Sequence, residues 1–148
     1  MTTATQLTPY TSATVDPVLR TAYEIFNARD FARLASVCHE DAELVNVATG
    51  QVYRGPAGVE AFMRGWIEAF GDARIEIGTF VQAGDVAVCE FRGIGTHTGV
   101  LHTPMGDVAP TGRTVHVPFC DVVRLRGDRI ASIRTYFDSA TFARQLQG

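Results

Sequence analysis

Apolar side chains recur at helical spacing in the first half of the chain and at alternate positions in the second, so helices precede strands. After Asp16-Pro17, an N-cap followed by proline at the first helical position, Leu19, Ala22, Tyr23 and Phe26 share one face. A second short helix is predicted after Asp30, with Phe31, Leu34, Val37 and Cys38 together, and a strand is predicted over 42–48. The stretch Tyr53-Arg54-Gly55-Pro56-Ala57-Gly58 ends a strand and opens a third helix, whose Val59, Phe62, Met63, Trp66 and Phe70 form an apolar stripe. From residue 74 the period becomes two. The runs 75–82, 86–98, 114–125 and 130–138, separated by turn residues at 83–85 and 126–128, predict an antiparallel meander, and Asp138 or Ser139 then caps a short C-terminal helix.

The class is α+β. A curved, mainly antiparallel sheet wrapped around three N-terminal helices buries one face of each strand and leaves a conical pocket between the layers. Residues 1–14 are Thr-rich without an apolar period and are expected to form a mobile arm outside a single domain of 15–148, with no function of their own.

Side chains two apart on a strand share a face, so each run resolves into two columns. One column of 114–125 reads Val115, Val117, Phe119, Asp121, Val123, Leu125: a single carboxylate on a face that must be buried. Burial without donors is costly for a carboxylate, which makes Asp121 the first site candidate. Asn46 interrupts the column Ala42, Leu44, Ala48. Thr135 interrupts Ala131, Ile133, Phe137, and His97 ends the column Ala87, Cys89, Phe91. Each has a plainer reading. Thr135 is a good strand former, His97 can bond a loop, Asn46 can satisfy the turn that follows it, and Asp121 can pair with Arg54 or Arg134, although Arg134 lies in the outward column of its own strand. The opposite columns, with Glu90, Arg92 and Ile94 on one strand and His116, Pro118, Cys120 and Val122 on another, suit packing against a second sheet and predict a homodimer.

Composition narrows the function classes. In 148 residues, 46% hydrophobic and 20% charged, the net charge is −3 with no Lys/Arg run, which argues against nucleic-acid or anionic-membrane partners. No segment is long and apolar enough to span a bilayer, and no secretory leader is evident. Three cysteines without C-x-x-C spacing point to reduced thiols in a cytoplasmic setting. His97, His102 and His116 lack a carboxylate at ligand spacing, so no metal site is expected. Gly93 to Gly99 misses the dinucleotide fingerprint, and Cys38-His39-Glu40 places neighbours that do not face each other. Cys89 and Cys120 lie within strands and are expected to be inert.

The order of three helices before a curved meander, with Gly95-Thr96-His97-Thr98-Gly99, Pro110-Thr111-Gly112-Arg113, Asp121-Val122-Val123-Arg124 and Ala143-Arg144-Gln145-Leu146, resembles the SnoaL-like polyketide cyclases over about 16–147. These belong to the nuclear transport factor two-like superfamily of cone-shaped α+β barrels. The resemblance implies that Asn46 is the cyclases' pocket asparagine, that their catalytic aspartate falls on Thr135, and that their pocket histidine falls on Asp121. Against the related ketosteroid isomerases, Asp121 is similar to the oxyanion-binding acid, Asn46 takes the base position and Ala22 the helix tyrosine. The epoxide hydrolases of the superfamily need two carboxylates flanking an arginine, and only one inward carboxylate is found. The expectation is a cofactor-independent cyclase or isomerase acting by proton transfer on a hydrophobic, polyketide-like carbonyl compound. Asp121 is the acid–base group, Asn46 orients the carbonyl, and His97 and Thr135 assist. Tyr23, Trp66, Phe91, Phe119 and Phe137 form the wall. The alternatives are a non-catalytic small-molecule binder and an epoxide hydrolase.

Overall fold

The computed structural model describes residues 16–148. The expected arm over 1–14 lies outside the described residues. Helix α1 (Pro17–Ala28) begins where the Asp16 carboxylate accepts from the Val18 N–H at 2.8 Å, and it buries Leu19, Ala22, Tyr23, Ile25 and Phe26. Arg29 closes it in the left-handed conformation, φ 61°, with its guanidinium donating to the carbonyls of Phe26, Gly71 and Ala73. Those bonds, with Asn27 bonded both ways to the Ile75 backbone, pin the C-terminal end of α1 to the sheet.

The predicted second helix is shorter than its apolar face implied. A 3-10 turn (Phe31–Arg33) leads into one turn of α2 (Leu34–Val37), and Cys38 already opens strand β1 (Cys38–Asn46), paired with Ile130. Sheet pairing wins over helical spacing there. A register shift between Cys38 and Glu43 breaks the local alternation, so sequence parity becomes visible only from Ala42. The strand ends at Asn46 rather than continuing to 48, because the Asn46 carbonyl accepts from the N–H groups of Thr49 and Gly50 in a tight turn.

Strand β2 (Gln51–Arg54) and helix α3 (Gly55–Ala69) follow. Gly55 has φ 68°, and a Cβ there would lie 2.8 Å from the Glu40 carbonyl oxygen, so only glycine lets α3 start against β1. Then come β3 (Arg74–Ala83), β4 (Val86–Thr96), β7 (Thr114–Arg126), β8 (Arg129–Phe137) and α4 (Ser139–Gln147), the last capped by the Asp138 carboxylate accepting from the Thr141 N–H at 2.9 Å. The segment 100–113, between the second and third of the predicted runs, carries a hairpin of β5 (Leu101–Thr103) and β6 (Gly106–Val108).

The main sheet has the order β2-β1-β8-β7-β4-β3. Strands β3, β4, β7 and β8 form the predicted antiparallel meander, while β1 joins β8 in parallel, a pairing that local alternation does not reveal. A bulge between Arg124 and Leu125 places Ile130, not Ala131, in the core. Ile94, expected on the outward face, is buried: Gly93 and Gly95 on either side of it let β4 approach Phe119 and Phe70 closely.

Candidate functional site

The four buried polar side chains among the described residues are Asn46, His97, Asp121 and Thr135. Pairing brings three of them together. Asn46 on β1 faces Thr135 on β8, Thr135 faces Asp121 on β7, and Asp121 faces Cys89 on β4. With strands about 4.8 Å apart, this is one row across four strands of the inner face.

Asp121 lines a cavity of about 100 Å³ walled by Leu19, Ala22, Tyr23 and Phe26 of α1, by Phe62, Met63 and Trp66 of α3, and by inward residues of the sheet. Its Oδ2 accepts from the Tyr23 hydroxyl at 2.9 Å, and its Oδ1 is buried with no hydrogen-bond partner. The expected arginines are elsewhere: Arg54 is paired with Glu43 at the surface, and Arg134 lies over the Tyr136 ring. Burial therefore pushes the carboxyl up from 3.8 to about 6, and the Thr135 and Tyr23 hydroxyls, which favour the charged form, offset that only in part. Tyr23 itself is pushed well above its ordinary 10 by burial and by the neighbouring Asp121 charge. Burial likewise lifts the Cys89 thiol to about 11, so neither competes as a base near neutral pH.

Asn46 sits two strands from Asp121, outside the residues that line the cavity. Its main-chain carbonyl closes the turn, whereas its side-chain Oδ1 is buried and unpartnered, so turn formation does not account for the amide. His97 is separated from Cys89, and hence from the acid row, by eight residues of β4 and its continuation, about 25 Å along the chain. It is fully buried and stacked on Phe70 at 5.1 Å. Its Nδ1 accepts from the Thr111 N–H at 3.2 Å, so in the neutral ring the proton lies on Nε2, which has no partner. The structure thus places His97 as the anchor of the 100–113 segment and not beside Asp121.

Of the expected wall, Tyr23, Trp66, Phe91 and Phe119 line the cavity, as does Thr135, whereas Phe137 does not and packs instead on Trp66 and Phe119. Phe91, Phe119 and Phe137 stack across β4, β7 and β8 at 5.0 and 5.2 Å, and Trp66 meets Phe119 and Phe137 edge-on. Gly93 makes room for this ladder, since a Cβ there would lie 2.8 Å from Phe119 Cε2. Two contributions escaped the sequence reading. Phe142 reaches the cavity from α4, and Tyr23 supplies a hydroxyl as well as a ring; the signal was a tyrosine within an otherwise hydrocarbon stripe.

Comparison with known proteins agrees with the fold. The model of the SnoaL-like polyketide cyclase family matches residues 17–146, while no curated protein matches. Among solved structures, IdmH from Streptomyces antibioticus, a candidate polyketide cyclase, superposes with TM-score 0.73 at 27% identity over 88% of this chain and 96% of its own. TsrD from Streptomyces laurentii does so with TM-score 0.75 at 23% identity, covering 93% and 97%. A Catenulispora acidiphila protein of ketosteroid isomerase-like fold, solved with trimethylamine, gives TM-score 0.75 at 18% identity, covering 90% and 95%. With its family model matched from α1 to α4 and its fold shared with these structures, the chain belongs to the SnoaL-like polyketide cyclase family.

Proposed function

We propose that the protein is a cofactor-independent cyclase or isomerase that moves a proton on an apolar, polyketide-like carbonyl compound, with Asp121 as the acid–base group. The observation that carries this reading is a lone buried carboxyl among the residues lining an apolar cavity, raised to about 6, with one oxygen lacking a hydrogen-bond partner. As carboxylate, Asp121 takes the proton α to the carbonyl and the C–H electron pair becomes the enolate. As carboxylic acid, it returns that proton, either to a different carbon or to the alkoxide formed when the enolate attacks a second carbonyl. Both cycles leave the protein unchanged. Thr135, beside Asp121 on the cavity wall, offers a hydroxyl to the polar end of the ligand, and Trp66, Phe91 and Phe119 hold the apolar body. Exchange of α-hydrogens of apolar 1,3-diketones in D₂O, followed by proton NMR, tests it: acceleration by the protein is expected, and Asp121→Asn retaining full acceleration overturns it.

Thr135, at the position where the family's catalytic aspartate falls, favours a second reading, a binder that releases its ligand unchanged. Incubation followed by recovery of the compound separates the two, since an enzyme yields an isomer or a cyclised product. The epoxide-hydrolase alternative finds no second carboxyl among the cavity-lining residues. The outer sheet face, with Glu90, Arg92, His116 and Pro118 exposed beside half-buried Cys120 and Val122, fits a homodimer. Light scattering of Val122→Arg is expected to give a monomer where the parent chain gives a dimer. Among the described residues no helix is long and apolar enough to cross a membrane.

A further inference from the structure

Both oxygens of a carboxylate are chemically equivalent until a neighbour distinguishes them. At Asp121 the hydroxyl-bearing neighbours are Thr135 on the adjoining strand and Tyr23, and it is the Tyr23 hydroxyl that reaches across from α1 to donate to Oδ2 at 2.9 Å, both groups being buried. We propose that Tyr23 is the positioning residue of Asp121: it holds Oδ2 and so confines proton exchange with the ligand to Oδ1. This rests on the proton-transfer reading above and adds a division of labour between the two oxygens.

Three features make the hydroxyl a fixed donor. The Tyr23 ring packs against Phe91 at 5.2 Å, which limits its swing. The helix that carries it is tied to the start of β3 within one to two turns, by Asn27 bonded to both the N–H and the carbonyl of Ile75 and by Arg29 bonded to the carbonyls of Gly71 and Ala73. The titratable groups facing the pair are Asp121 itself and, from β4, Cys89. Both the phenol and this thiol stay protonated through neutral pH, so Tyr23 remains a donor while Asp121 alone changes state. A donor preorganised in this way favours the carboxylate, restrains the carboxyl rotor and leaves Oδ1 as the oxygen without a partner.

The assignment makes Tyr23 and Asp121 one titrating unit. In the native protein labelled with ¹³C at tyrosine Cζ, the Tyr23 signal is expected to inflect at the same pH as the Asp121 carboxyl carbon. In Tyr23→Phe the Asp121 midpoint is expected to rise by about one pH unit, because a donor to the charged form is lost while the ring's packing is kept. In the α-hydrogen exchange assay the rate limb that needs the carboxylate moves upward with it, and kcat falls about tenfold with a smaller change in KM. A Tyr23 signal flat through the Asp121 titration, or an Asp121 midpoint unmoved in a folded Tyr23→Phe protein, overturns the assignment. If the variant does not fold, the native-protein titration decides alone. Neither titration needs a substrate, so their failure is distinguishable from failure of the proton-transfer reading, which is judged by Asp121→Asn in the exchange assay.

Discussion

Asp121 and His97 are both buried polar groups, both project from apolar strand columns, and each keeps one atom without a hydrogen-bond partner. Their surroundings separate them. Asp121 meets a phenol from α1 on one side and an apolar cavity on the other, whereas His97 is pressed against Phe70 and bonded through Nδ1 to Thr111. A polar side chain in an apolar column therefore marks burial, and the groups across the strand register and in the facing layer decide whether it does chemistry or holds a segment in place.

The largest effect that can break this contrast is on turnover. Asp121→Asn keeps an acceptor for the Tyr23 hydroxyl but cannot exchange a proton as a base, so proton transfer is expected to fall by about 10²- to 10⁴-fold, while His97→Ala changes it less than threefold. Equal losses in the two variants, measured as α-hydrogen exchange, contradict the contrast.

Next in size is stability against pH. Folding raises the Asp121 carboxyl from 3.8 to about 6, so the folded chain holds this proton more tightly than the unfolded chain. The resulting stabilisation is complete below about pH 4 and is lost as pH rises through 6, amounting to about 3 kcal/mol by neutral pH. Urea unfolding at pH 4 and pH 7 is expected to show that loss in the parent protein and not in Asp121→Asn. His97→Ala, in turn, is expected to lower stability by about 2 kcal/mol at neutral pH, through loss of the Thr111 bond and of packing on Phe70, with earlier hydrogen exchange in 100–113 than elsewhere. The smallest effect belongs to Thr135→Val: removal of a hydroxyl that favours the carboxylate raises the Asp121 midpoint and shifts the pH profile of exchange upward, with less than a tenfold change in rate at its optimum.

Period-two alternation picked out all four buried polar residues because it is a local property of each strand. Their grouping is not local. That Asn46, Thr135 and Asp121 share a row depends on β1 pairing in parallel with β8 across almost ninety positions of chain, and nothing within either strand specifies that partner. The same limit explains the shortened α2, where Cys38 satisfies a helical stripe and a strand partner equally well and the sheet decides. Likewise, Tyr23 read as wall because helical spacing reports which face is buried and not where a hydroxyl ends. The bulge that exchanges Ala131 for Ile130 is a one-residue insertion invisible to alternation.

On the proton-transfer reading, Asp121 is a desolvated carboxyl that takes up and releases a proton near neutral pH. Its side-chain carboxyl carbon, assigned by its disappearance in Asp121→Asn and followed by NMR from pH 3 to pH 9, tests this directly. A midpoint near 6 is the predicted result. A midpoint at or below about 4, the ordinary carboxylate range, would contradict the account and return Asp121 to the role of a solvated or ion-paired structural group.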